Sequence, residues 1–173
     1  RATLYRYIRV LEGSHSLPLA RRWLGVYDSR NGIAANLMAL HCEADDVPAI
    51  RTAFAREWSE TECTYPLCDL VEALGRHPEQ GPYEELRLTF SDVVYSYARK
   101  KAAASMAFVD PQFQDLFATE CLWDCEPETQ IVGLHSANVL LPLVASRVKA
   151  LAHNVVEDEE KVKQAATTRL AST

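Results

Sequence analysis

The stretch YEELRLTFSDVVYSYARKKAAA, Tyr83 to Ala104, decides the fold class. Leu86, Phe90, Val93, Val94 and Tyr97 recur at helical spacing, so a helix over 83–104 has one apolar face. Gly81-Pro82 marks its start. The same period continues toward the amino terminus. A helix from Thr64 or Tyr65 to Leu74 is closed by Gly75 and Pro78. Asp46 caps another, with Pro48 in its first turn, running to Trp58. Residues 33–42 and 17–27 form two more, the latter carrying Leu17, Leu19, Trp23, Leu24 and Tyr27, and Asn31-Gly32 breaks the chain between them. Toward the carboxyl terminus, Asp110-Pro111 opens a helix that ends near Cys125, before Pro127. A last one spans 134–153, with Pro142 as the site of a kink. Only Leu4 to Val10 alternates like a strand, and 154–173 is polar. The expected architecture is all-α: a core of about seven helices over 17–153, flanked by extended arms at 1–16 and 154–173.

At 173 residues the chain fits one domain with a real core, and 48% hydrophobic composition excludes disorder throughout. No apolar run reaches the roughly 20 residues of a membrane span, and the first residues lack a signal-peptide pattern. The chain begins at Arg1, not Met, and reads as a piece of something longer. Five cysteines without secretory marks read as free thiols in a reducing compartment. A net charge of -6 argues against a protein that coats duplex DNA over its whole surface. The charge is uneven, however. Arg1, Arg6, Arg9, Arg21 and Arg22 face the single acid Glu12 in the first 25 residues, Arg99, Lys100 and Lys101 form a second basic knot, and Glu157 to Glu160 is acidic.

Three chemistries are open to these residues. For a metal, His41-Cys42, Cys63 with Cys68, and Cys121 with Cys125 are the candidates, but none has the paired spacing of a structural zinc site; buried thiols are the simpler reading. No metal or cofactor is expected. For catalysis, GxSxG, the phosphate loop and HExxH are absent, and five scattered histidines single out no triad, so the chain does not read as an enzyme. For nucleic acid, Arg87 lies among Leu86, Leu88 and Phe90, where a guanidinium needs an anion, either a phosphate or a buried carboxylate. Asp124, between Trp123 and Cys125, is an acid in apolar surroundings, and its pairing with Arg87 is the plain alternative.

Taken in order, these residues carry a family likeness. Tyr65-Pro66-Leu67, then Phe90-Ser91-Asp92-Val93 with Tyr97 four residues on and Arg99, Lys100 and Lys101 behind it, resembles the coat-protein core of potyvirus-like flexuous filamentous plant viruses. Trp23 and the segment Asn36 to Cys42 are similar to upstream motifs of that family, and Leu122-Trp123-Asp124-Cys125 stands where it has an Asp between aromatics. The family's helix arginine lies six residues before the Phe; here that position is Glu84, and the nearest arginine is Arg87. The family's Ser after the Cys has no counterpart.

The resemblance implies a helical core with two extended arms, polymerised with copies of itself around single-stranded RNA, located in the virion and the host cytoplasm. It implies RNA contacts at Arg87 and Asp124, helped by Arg99, Lys100 and Lys101. Such a coat reads phosphate and base faces and ignores sequence. It requires both arms to reach neighbouring subunits. On this reading, Arg87→Ala or Asp124→Ala leaves helical content intact and removes RNA. Two other classes remain open: a nucleoprotein of a different helical capsid lineage, sharing the RNA groove without the arms, and a helical adaptor that binds no nucleic acid.

Overall fold

The computed structural model describes residues 2–26, 28–59, 64–153 and 160–172. They form α1 (Ala2–Arg9), α2 (Gly13–Trp23), α3 (Ser29–His41), α4 (Val47–Trp58), α5 (Tyr65–Leu74), α6 (Glu84–Asp92) and α7 (Ser96–Val109). Then come α8 (Phe113–Leu116), α9 (Ala118–Cys121), α10 (Pro127–Ser136), α11 (Pro142–Ala152) and α12 (Glu160–Ala171). Single 3-10 turns at Ala44–Asp46 and Pro78–Gln80 complete the element order, and no strand occurs among the described residues. The all-helical expectation therefore holds, and the strand-like alternation of Leu4 to Val10 resolves as α1.

α3 and α5 pack at the centre, with α2 and α4 outside them and α7 across α5. Small side chains permit this. Ala34, Ala35, Ala73, Ala98, Ala102 and Ala103 are all buried, so the helix backbones approach closely. Leu37, Met38, Leu70, Leu74, Leu86 and Met106 fill the remaining space. Each such large apolar side chain contributes about 1.5–3 kcal/mol by leaving water. α7 then carries α6 on one side and α10 on the other, and α10 carries α9 and α12.

Several expected boundaries fail, each for a visible reason. Asn31-Gly32 does not break the chain. Asp28 caps α3 by accepting from the Arg30 backbone N–H at 2.8 Å. Asn31 then sits buried inside the helix, donating to Glu57 Oε1 at 2.8 Å and accepting from Arg56 Nη2 at 2.8 Å. Its amide, which favours turns when solvated, is satisfied by α4 instead. The helix expected over 83–104 is two helices, with Val93 to Tyr95 extended between them. β-branched Val93 and Val94 tolerate that conformation well. Arg99 Nη1 takes up the released carbonyls, donating to Val93 O at 3.2 Å and Val94 O at 2.6 Å. The next expected helix divides at Phe117, whose ring meets Phe90 edge-on at 6.0 Å. The last divides before Pro142, which opens α11 rather than kinking a longer helix.

Among the described residues, both of the expected arms are helical. In α1, Ile8 is 6% exposed within the core cluster. α2 begins at Gly13, inside the expected arm, and buries Ser16 and Leu17. At the other end α12 lies on α10 and α11 and buries Val162 and Ala166 completely. The period that the polar composition hid is carried by two small or medium side chains four residues apart. Arg1, Tyr27 and the acidic stretch through residues 157–159 lie outside the described residues. So does Cys63, one of the candidate metal-site cysteines.

Candidate nucleic-acid interface

The break between α6 and α7 sets the geometry of every residue nominated above. Arg99, in the first turn of α7, forms a fork with Asp124: Nε to Oδ2 at 2.8 Å and Nη2 to Oδ1 at 3.2 Å. Its Nη2 also reaches Cys125 Sγ at 3.5 Å. Asp124 Oδ1 accepts from the Glu126 backbone N–H at 2.8 Å, which fixes the entry to α10. Arg87, on α6, does not meet Asp124. It forks onto Asp110 at 2.8 and 3.0 Å, donates to Gln112 Oε1 at 3.0 Å, and lies over the Phe117 ring. The single pair anticipated from the sequence is thus two pairs at opposite ends of α7. A helix break between Arg87 and Arg99 has no signature in apolar period alone, because Val93, Val94 and Tyr97 continue it.

Both aspartates are held below the ordinary carboxylate range. Burial pushes each upward, but hydrogen bonds from Arg99 and Glu126 N–H at Asp124, and from Arg87 and Gln112 N–H at Asp110, outweigh it. The arginines shift upward through the same hydrogen bonds. Since the folded-state values are depressed, this stability is complete above the unfolded aspartate range and is lost as pH falls through the folded values. The thermal midpoint, followed by circular dichroism, is expected to stay level down to about pH 5 and to drop steeply below about pH 4. A midpoint unchanged to about pH 2 would show that the two forks contribute nothing to the fold.

Lys100 and Lys101 come to the same place as Arg99 but not as a bare cationic knot. Lys100 Nζ stands 3.6 Å from Glu126 and 3.7 Å from Glu128, and Lys101 donates to Glu72 at 2.5 Å. With Asp124, four carboxylates surround three cations. Both ammoniums also approach the Tyr97 ring, at 4.9 and 5.6 Å from its centroid. Tyr97 belongs to a cluster that composition did not single out. Tyr65 opens α5, Tyr95 lies in the extended break and Tyr97 begins α7. Their ring centroids are 6.4, 6.4 and 6.0 Å apart, with Tyr65 edge-on to Tyr95. Tyr65 is 71% exposed, and neighbouring Val94 is also exposed. The signal lay in the wide sequence separation of Tyr65 from Tyr95, which only the α5–α7 packing closes. Chemically, the cluster offers aromatic faces and edges to solvent beside two partly neutralised ammonium groups.

One catalytic-looking triplet forms elsewhere. Cys42 Sγ is 3.3 Å from His77 Nε2, and His77 Nδ1 is 3.2 Å from Glu79 Oε1. The thiol is 6% exposed and donates to the Ala73 carbonyl, and burial raises its pKa to about 11. The group is held as a neutral thiol, whereas nucleophilic chemistry needs a thiolate. Among the described residues no group of three or more His, Cys, Asp or Glu could hold a metal ion, and no helix is long and apolar enough to cross a membrane. Comparisons with protein-family models, with curated proteins and with solved structures each find no match for this chain.

Proposed function

We propose that this chain binds single-stranded RNA without sequence preference and packs with copies of itself as the subunit of a helical viral coat. The exposed Tyr65–Tyr95–Tyr97 cluster, with Lys100 and Lys101 beside it, carries the reading. Every base has a stackable face, so tyrosine platforms bind strands of any sequence, while ammonium groups attract the phosphates. The carboxylates around the lysines temper the affinity and leave capture to many subunits acting along one strand. Subunit contacts would fall to exposed apolar groups such as Leu140, which is 80% exposed, Leu141 and Leu143.

The packed ends favour a second reading. A nucleoprotein of another helical capsid lineage shares the RNA surface and needs no extended arms, and α1 and α12 both sit on their own core. Negative-stain imaging of protein mixed with RNA separates the two: long rods support the coat, rings or loose ribbons the nucleoprotein. A helical adaptor gives neither, and no excess absorbance at 260 nm.

The affinity test is Tyr65→Ala. Loss of one stacking face is expected to weaken binding of a fluorescein-labelled oligouridylate by about 1–3 kcal/mol, read by anisotropy, with the circular dichroism spectrum unchanged. Equal affinity in the variant and the parent would remove the platform from the RNA site.

A further inference from the structure

We propose that an exposed apolar ridge, formed by Leu140, Leu143 and Trp123, docks head to tail on the surface around Leu116 of a second copy of this chain, so that copies bind one RNA strand cooperatively. The contact deepens the self-assembly reading above, on which its coupling to RNA rests.

The ridge is shaped by the segment that links α10 to α11. Val139 packs against the core and Val144 is buried, so the interior positions of this segment are filled. Leu140, Leu141 and Leu143 are left exposed, Leu143 to 66%. Asn138 Oδ1 accepts from the Leu140 backbone N–H at 3.0 Å and fixes the turn that presents it. Leu143 lies one turn before Arg147 on α11 and shares its face. Arg147 donates from Nε to the Leu122 carbonyl at 2.9 Å and lies over the half-exposed Trp123 ring, 5.8 Å from its centroid. Trp123 precedes Asp124, whose partner Arg99 also holds the Val94 carbonyl, and Val94 is 92% exposed beside the tyrosines. The ridge thus leads from α11 to the edge of the RNA platform. Exposed large apolar side chains are ordinary when scattered, whereas a run of them marks an interaction surface.

Aliphatic groups dominate the ridge, and its one aromatic ring is already overlaid by a guanidinium, so a protein surface covers it better than bases do. Arg147 pairs with no carboxylate among the described residues, which asks for an acid on whatever docks there. The complement is on this chain. Leu116 ends α8 and is 51% exposed. Asp115 and Glu120, close to it in sequence, are exposed carboxylates with no cationic partner among the described residues. An apolar ridge with an unpaired cation therefore matches an apolar patch with unpaired acids, and the occupant is a second copy. The two faces differ, so the contact is heterologous and repeats from copy to copy when its rotation does not close. These few side chains fall short of the roughly 800 Å² per partner that a stable interface buries. One contact is weak alone, and a strand that holds two copies side by side supplies the effective concentration it lacks.

The test uses the full chain and two fluorescein-labelled oligouridylates, one of about 6 nucleotides, within the site of a single subunit, and one of about 60 that spans several. Leu143→Asp puts an acid in the first turn of α11, where the helix dipole favours it, so folding is preserved and is checked by circular dichroism. This variant is expected to bind the short strand as the parent does and the long strand at least about tenfold more weakly, with the Hill coefficient falling to about 1. Asp115→Lys/Glu120→Lys, on the opposite face, is expected to do the same. If Leu143→Asp weakens the short strand as much as the long one, the ridge belongs to the RNA surface and the contact is wrong. If either variant binds the long strand as the parent does, the head-to-tail contact is also wrong. Tyr65→Ala is expected to weaken both lengths, so the platform and the ridge fail separately. If the parent binds neither strand, the RNA reading falls and sedimentation equilibrium decides the contact. Association of the parent that both variants lack keeps it, and monomers throughout overturn it.

Discussion

Asp124→Ala is expected to destabilise the fold by about 3–5 kcal/mol, the range for removing one partner of a buried ion pair. The change leaves Arg99, whose side chain is 19% exposed, without its countercharge. It also frees the Glu126 backbone N–H that Asp124 accepts at 2.8 Å, and so loosens the start of α10. The expectation drawn from the resemblance alone, intact helices with RNA lost, is therefore revised: this aspartate holds the scaffold. Urea titration followed by circular dichroism reads the loss. Arg99→Leu/Asp124→Ala, which deletes both charges, is expected to recover part of it, because an apolar replacement of a whole pair is far less damaging than a half pair. A single variant within about 1 kcal/mol of the parent would place the fork in the solvent-screened class of surface ion pairs.

Gly75→Ala is expected to cost about 3 kcal/mol, at the upper end of overpacking effects. The position does not need glycine for its backbone, which is αR at φ -62°. It needs the missing carbon. A Cβ there would fall 2.5 Å from the Cβ of Ser105 and 3.0 Å from its Cα, as well as on its hydroxyl, at the crossing of α5 and α7. Ser105 is fixed in turn by donating to the Val71 carbonyl at 3.2 Å. Backbone on both sides prevents an inexpensive shift. The second change Ser105→Gly in the Gly75→Ala background is expected to restore most of the stability, since it moves the small residue to the other helix. If the double variant is no more stable than the single one, the clash at this crossing is not the cause.

How much of this was legible in the sequence differs by element. α4 and α5 were placed nearly to the residue, because Pro48 in the first turn of α4 and Gly75 just after α5 are local chemistry that acts within one turn. The α6–α7 break was not legible. Its stabilising partner is a guanidinium six residues downstream of Val93, and a periodic apolar face cannot report it. The same holds for Asn31, whose turn preference is overridden by Glu57 and Arg56 from another helix. The helix over 160–171 was not legible because α12 buries only Val162 and Ala166, too little apolar area to register as a stripe. Of the nominated site residues, Arg99, Asp124, Lys100 and Lys101 do converge, while Arg87 belongs to a separate fork with Asp110. The tyrosine cluster depends on packing between distant segments and could not be seen at all.

Arg99 has one more lesson. A guanidinium carries five N–H donors, and here Asp124, the Val93 and Val94 carbonyls and the Cys125 sulfur together occupy all of them. This forked, directional cation beside the tyrosines is thus committed to the interior, and on the proposed reading the exposed grip on RNA is left to lysines, which pull on charge without a preferred angle. A thread held that way can slip by one unit and lose almost nothing. Such a hold is poor for reading a message and well suited to being laid down along its whole length.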